Sequence, residues 1–425
     1  MKNKTFLIFS TLLILSLLDP FSFEIPINLG FGPNFYAFEL LFLIYFALCF
    51  NSISRLLNNS KVLIFFFVWI FWGIFSVLHG AMNYKLTVAI TESNTYIIMP
   101  IFMLISYWLL AYKTNYNEFF DKFIKKAILF IILLFLVSLA FYIINNKYVF
   151  MSLVEYLDPS MYATIGVNPY SDWARFMNSY SASFLAIIIP IYLISKYRFK
   201  NNQKINIFII ILGFIALSLG QVRTVWGILA VNLILALSFV IVFNKNKKHS
   251  FKFFTYLIVF VLFAIGVLVY FNDIGLINLQ RSLTPFEQGF NQTGTFQWRE
   301  IVWAQILSKW KLSPILGLGY GGYYKGPIGE EVTTPHSSYI AVLTKQGIIG
   351  ASLMGLMFLA FLIYFIKNYF KSGEDIIKYG SLWGIIVIIS MLVFAYSYEF
   401  TIIQWVLLGV AFYLVNYKKF NQQLV

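Results

Sequence analysis

The sequence predicts an all-α polytopic membrane protein with about twelve transmembrane helices, and three observations carry that prediction. Of 425 residues, 60% are hydrophobic and only 11% are charged, against about 45–50% and about 25% in a soluble domain. The apolar residues fall into runs of the length a bilayer demands, about 20 residues per helix. The breaks between runs alternate between basic and less basic, as membrane orientation requires. Other classes close at once. One cysteine, Cys49, allows no internal disulfide, and His79, His249 and His336 lie too far apart in sequence for metal-ligand spacing.

Taken in order, the runs are 5–18, 35–50, 62–79, 95–111, 127–144, 179–195, 205–219, 224–243, 254–271, 348–366, 379–397 and 400–416. The first follows Lys2 and Lys4, stops at Asp19-Pro20 and lacks a small-residue cleavage site, so it reads as an uncleaved helix. With the N-terminus inside, 21 of the 31 Lys and Arg fall inside and 10 outside. Only 4 of the 17 acidic residues fall inside, which gives +17 inside and −3 outside. The surplus of +14 is therefore a topology signal, and no nucleic-acid partner follows from it.

The expected division is a membrane domain over 1–271, a large outer loop over 272–347 between helices 9 and 10, and a second membrane part over 348–425. Within the loop, 297–310 reads as an amphipathic helix, with Trp303, Ile306, Leu307 and Trp310 on one stripe. Such a helix is expected to lie flat on the outer leaflet. Every inside connection is short and Lys-rich, which leaves no room for a nucleotide-binding domain. Chemistry is thus expected outside, on a donor that arrives already activated.

Four arginines, Arg175, Arg223, Arg281 and Arg299, fall outside, whereas only Arg55 and Arg198 fall inside. A guanidinium forks onto phosphate oxygens better than an ammonium does, so this bias points to a phosphate or pyrophosphate site facing outward. Arg223 sits in a tight turn at the start of a helix, where it either snorkels or meets an anion. Arg299 shares a face with Trp303. Pro314-x-x-Gly317-x-Gly319-x-Gly321-Gly322 lacks the βαβ setting of a dinucleotide site, so it reads as a compact turn. That turn either lets a ligand approach or packs closely. His336 opens the next helical pattern beside Ser337, Ser338 and Tyr339. Glu330-Glu331 reads as a solvated loop, and Glu39 and Glu399 receive no role.

These residues together resemble the signature region of the O-antigen ligase and polymerase superfamily. The likeness rests on Arg223, Arg299-x-x-x-Trp303, the proline–glycine run 314–321, His336-x-x-Tyr339 and Gly347-x-x-Gly350. It implies a GT-C-like glycosyltransferase of the bacterial inner membrane, multi-pass, with its active site facing the periplasm and with no cofactor or metal. Its donor would be an undecaprenyl-pyrophosphate-linked glycan and its acceptor a glycan lipid. Carried over by position, Arg223 and Arg299 bind pyrophosphate, with Arg281 and Arg175 as secondary sites. His336 is the catalytic base or orienter, and Trp303, Tyr339 and Tyr320 touch glycan. Polymerisation of O-antigen or capsule repeat units is the preferred activity, with a chain-length regulator as a further partner. Ligation to lipid A-core is the alternative. A transporter or flippase, from another class, would predict internal repeats and charged residues buried inside helices.

Overall fold

The computed structural model describes residues 26–27, 35–36, 60–111, 125–145, 179–198, 212–217, 223–243, 266, 269–270, 273, 294–322, 324–325, 331–332 and 335–422. The expected helix at 5–18, and most of those at 35–50 and 254–271, lie outside those residues. Two compact units emerge. Unit 1 comprises Met1–Phe9, Ile25–Lys113 and Leu283–Val425, and unit 2 comprises Ser10–Glu24 and Thr114–Ser282.

Unit 1 holds α1 (Leu63–Ala81), α2 (Leu86–Ala111) and, after unit 2, α6 (Gly294–Trp310), α7 (Ser338–Lys371), α8 (Asp375–Ser397) and α9 (Ile402–Gln422). Unit 2 holds α3 (Lys125–Asn145), α4 (Ser179–Arg198) and α5 (Arg223–Phe243), with 212–217 also helical. The described strands are two-residue ladders. β1 (Pro26–Ile27) pairs antiparallel with β2 (Phe35–Tyr36), and β3 (Tyr324–Lys325) with β4 (Glu331–Val332). Phe35 and Tyr36, expected to open the second helix, are thus extended. The other described elements are helices, and among them α1, α7, Leu86–Leu110 and Asp375–Tyr396 are long and apolar enough to cross a membrane.

Helix α1 shows why composition alone cannot tell its faces apart. Its buried side carries Leu63, Phe66, Trp69, Ile70, Gly73, Ser76, Val77 and Gly80, and its exposed side carries Ile64, Phe65, Val68, Phe71, Ile74 and Leu78. Both sides are apolar, as befits a helix with lipid outside and protein inside. The small residues Gly73, Ser76 and Gly80 lie only on the protein side, where they let backbones approach. Gly409 of α9 does the same for α2, lying against Ser106 and the Met103 carbonyl. Trp405 of α9 fills the middle of this bundle, stacked on Trp69 at 6.1 Å and on Phe358 at 6.1 Å. In unit 2, α4 and α5 pack together, and the buried Asn232 donates to the Ala186 carbonyl at 3.1 Å.

Two helices differ from expectation in an informative way. Helix α2 begins at Leu86 and not near 95, and α7 begins at Ser338 and not near 348. The added turns contain Glu92 and Lys345, both assigned from sequence to outer loops. They form a buried ion pair at 2.6 Å, with side chains 4% and 1% exposed.

Helix α7 is also broken. Gly347 has φ +68° and ψ −172°, which ends the half-helix Ser338–Gln346 before the chain resumes. A break inside a membrane helix frees backbone groups that must find other partners. They find them in the proline–glycine run 314–322. Thr344 and Lys345 carbonyls accept from Leu318 N–H (2.8 Å) and Gly319 N–H (3.0 Å). Ile348 and Ile349 amides donate to the Pro314 (2.9 Å) and Ile315 (3.4 Å) carbonyls, and the Trp72 indole N–H takes the Gln346 carbonyl at 2.9 Å. Gly317, Gly319 and Gly321 all have positive φ, and a Cβ on Gly319 would enter the backbone of Gly80. The glycines are there for close packing, one of the two uses the sequence left open.

Candidate functional site

The site is built where α6 meets the ends of α7 and α8. Helix α6 turns Val302 and Ile306, both wholly buried, onto Ile340 of α7. Part of the stripe expected to face the outer leaflet therefore faces protein. Trp303 is half-buried and donates its indole N–H to the Pro335 carbonyl at 2.8 Å, which fixes the chain immediately before His336. It also meets Tyr396 edge-on, with centroids 6.1 Å apart and planes at 79°.

One turn earlier, Arg299 lies over the Tyr398 ring, its guanidinium carbon 5.7 Å from the centroid. Arg299 and Trp303 thus reach the same two-tyrosine segment, as their i, i+4 spacing predicts. Partial burial lowers the Arg299 pKa, and Tyr398 and Tyr396 oppose that shift. The guanidinium remains charged at any physiological pH.

His336 has φ +50°, the left-handed region that a non-glycine residue rarely occupies. Such strain persists only where the surroundings fix it, and it is concentrated at functional sites. Here the surroundings are explicit. Pro335 is held by Trp303. On the other side, Ser337 Oγ donates to Ala395 O at 3.2 Å, and Ser338 N–H to Tyr398 O at 3.2 Å. Ser338 Oγ accepts from Phe400 N–H at 3.0 Å. His336 keeps an exposed surface while protein packs around the rest of its ring. Burial first, and the Arg299 charge second, hold its pKa below the ordinary imidazole value. An imidazole kept neutral near pH 7, open on one side and within electrostatic reach of a guanidinium, can take a proton from a hydroxyl.

The other expected residues are placed as follows. Arg223 is the first residue of α5, in unit 2. Arg175 and Arg281 lie outside the described residues. Tyr339 is half-buried and donates its hydroxyl to the Leu392 carbonyl at 2.6 Å. Tyr320 corrects an expectation: it is wholly buried, accepts from Gln346 Nε2 at 2.7 Å and stacks on Tyr96, so it offers no face to a glycan. Burial raises its pKa far above the phenol range, so it stays protonated. Among the described residues no cluster of His, Cys, Asp or Glu has the make-up of a metal site.

Sequence reasoning missed Tyr396 and Tyr398, which form the surface opposite α6. Their signal was present as a Tyr-x-Tyr pair at the end of an apolar run. It also missed the Glu92–Lys345 pair, where the Glu92 carboxylate accepts the Gly321 N–H and Lys345 Nζ donates to Gly322 O at 3.1 Å. Lys345 lies on the half-helix that begins just after His336, and its pair with Glu92 of α2 pins the glycine run to α2. Buried charges inside helices were one expected mark of a transporter. Here they tie two helices to a loop near the helix ends.

Residues 207–355 match the family model described as O-antigen ligase. None of the curated proteins searched matches the chain. The matched stretch contains Arg223, Arg299, the glycine run, His336 and Gly347, so it is over these residues that the chain is similar to the O-antigen ligase family.

Proposed function

We propose that this protein is a glycosyltransferase of the O-antigen ligase and polymerase superfamily, set in the bacterial inner membrane, that polymerises undecaprenyl-pyrophosphate-linked repeat units at the periplasmic face. The observation that carries the reading is the strained, exposed His336 held beside Arg299 within the family-matched stretch. Twelve spans, with 272–347 as an outer loop between membrane parts 1–271 and 348–425, belong to the same reading. It gains support from unit 1. The ends of α1, α2, α7 and α8 expected outside meet at the glycine run and at the residues that follow His336. The ends of α1, α2, α7 and α9 expected inside meet at Ser60, Tyr107, Tyr364 and Asn416.

In the reaction the acceptor hydroxyl oxygen attacks the anomeric carbon of the donor. The bond from that carbon to the lipid pyrophosphate breaks, and its electron pair leaves on the pyrophosphate. His336 takes the hydroxyl proton. Arg299 and Arg223, with Arg281 and Arg175 in support, stabilise the negative charge that grows on the leaving group. No metal takes part, so turnover should persist in chelator. The polymerase over the ligase rests on a Lys-, Asn-, Ile- and Phe-rich composition like that of surface-polysaccharide proteins.

The test measures donor binding and turnover of purified variants. Arg223→Ala and Arg299→Ala should weaken binding of the lipid-linked donor, each by about 1.5–3 kcal/mol. Arg→Lys should not rescue, because the fork is lost. His336→Ala should bind donor normally and turn over about 10²–10⁴-fold slower. The acid limb of the wild-type pH profile should fall below the ordinary imidazole pKa, since the folded environment disfavours the protonated ring. Normal turnover in His336→Ala removes the base. In a deletion strain, single repeat units on the core indicate a polymerase and bare core a ligase.

A further inference from the structure

The tyrosine pair at the end of α8 has no part in that chemistry, yet it is built into the same place. Tyr396 is 55% exposed, whereas Trp69, Trp383, Trp405 and Tyr107 of the same unit are buried almost completely. Its ring is nonetheless oriented by protein. Trp303 meets it edge-on at 6.1 Å, and Trp303 is itself held by its indole hydrogen bond to Pro335. Tyr398, two residues on, carries the Arg299 guanidinium on its face. Arg299 feels both tyrosines electrostatically, and His336 feels Arg299. A largely exposed aromatic ring, oriented by protein, therefore stands near the cation read as the phosphate ligand and the imidazole read as the base.

A tyrosine at the end of a membrane span is often a belt residue at headgroup level. A belt ring needs no fixed orientation, and it has no reason to share its support with an arginine and a strained histidine. What a fixed, flat, weakly polar face recognises is another flat apolar face rimmed by hydroxyls. The C–H face of a pyranose ring has that shape, and the aromatic edge and face charges suit its polarised C–H bonds.

We propose that Tyr396 is the platform for the sugar attached directly to the pyrophosphate of the donor, with Trp303 setting its angle and Arg299 taking the adjoining phosphate. The proposal rests on the transferase reading above and adds to it a place for the first sugar. Stacking needs the ring and not its hydroxyl, so aromatic replacements should serve.

The experiment uses two probes on the full-length protein in detergent: polyprenyl pyrophosphate without sugar, and the lipid-linked repeat unit extracted from the same cells. Tyr396→Phe should bind both within about twofold of wild type. Tyr396→Leu, which keeps apolar bulk but has no ring face, should bind the glycosylated probe about tenfold more weakly and the bare lipid unchanged. Wild-type affinity of Tyr396→Leu for the glycosylated probe overturns the proposal, and so does equal loss of both probes. The two readings fail separately. If Arg299→Ala binds bare polyprenyl pyrophosphate normally, the phosphate assignment falls, while the difference between probes in Tyr396→Leu still decides the sugar platform.

Discussion

The two ends of unit 1 solve the same problem with opposite materials. At one end, Glu92, Lys345, a broken α7 and a run of positive-φ glycines hold α1, α2 and α7 together. At the other, Asn416 Nδ2 donates to Ser60 Oγ at 2.8 Å, Tyr364 OH donates to Asn416 Oδ1 at 3.2 Å, and Ser60 Oγ lies 3.4 Å from Tyr107 OH. The second cluster is neutral, joins stretches of helix whose backbone is regular at that point and bears no strained residue among those described. It is a clasp. The first is charged and distorted, and it lies on the half-helix that begins beside His336. Charge and distortion are costly inside a bundle, so their concentration at one end marks the end where geometry has to be held for chemistry.

The largest effect should come from the backbone. Gly319→Ala combines φ +74° with a collision against the backbone of Gly80. Strain at one residue alone amounts to about 1–3 kcal/mol, and the collision adds to it. No monodisperse protein should survive size exclusion in detergent. A folded Gly319→Ala with wild-type melting would mean that the glycine run is not wedged against α1.

Next in size is the ion pair. Lys345→Met leaves the Glu92 carboxylate buried without its partner and should destabilise by about 3–5 kcal/mol. Glu92→Gln added to Lys345→Met should recover most of the loss, because an amide oxygen still accepts the Gly321 N–H. Thermal inactivation of the two variants checks this, and equal melting of single and double variants would show that charge is not what the pair contributes.

The smallest change belongs to the neutral clasp. Asn416→Leu strands Ser60 and Tyr364 and should cost about 1–3 kcal/mol, with turnover per folded molecule unchanged. If turnover falls while the fold holds, the two ends are coupled and their contrast is not one of clasp against site.

Much of the fold could be read directly. The expected runs 62–79, 127–144, 224–243 and 379–397 coincide closely with α1, α3, α5 and α8, because charges or prolines bound them. The misses share one cause. In α2, Thr91-Glu92-Ser93-Asn94-Thr95 breaks the apolar run, and in α7 Lys345-Gln346-Gly347 does the same. Polar residues were assigned to water. In the structure they bond to protein: Glu92 to Lys345, Gln346 to Tyr320 and Thr95 to Glu399. Arg299 and His336 were legible from residue type and spacing. Tyr396 showed only as half of a Tyr-x-Tyr pair, because its partner Trp303 lies far away in sequence and only tertiary contact joins them.

The break at Gly347 also imposes an order on assembly. The half-helix Ser338–Gln346 ends in carbonyls that lipid cannot satisfy, so it has no stable resting place alone in a bilayer. Its partners, Pro314–Tyr320, are themselves moored to Ser76 of α1 and Glu92 of α2, through Tyr320 and the neighbouring Gly321. All of these precede α7 in the chain, so every partner of the half-helix is synthesised before Gly347. The helix that begins beside the site thus depends for its seat on elements that come before it in the chain.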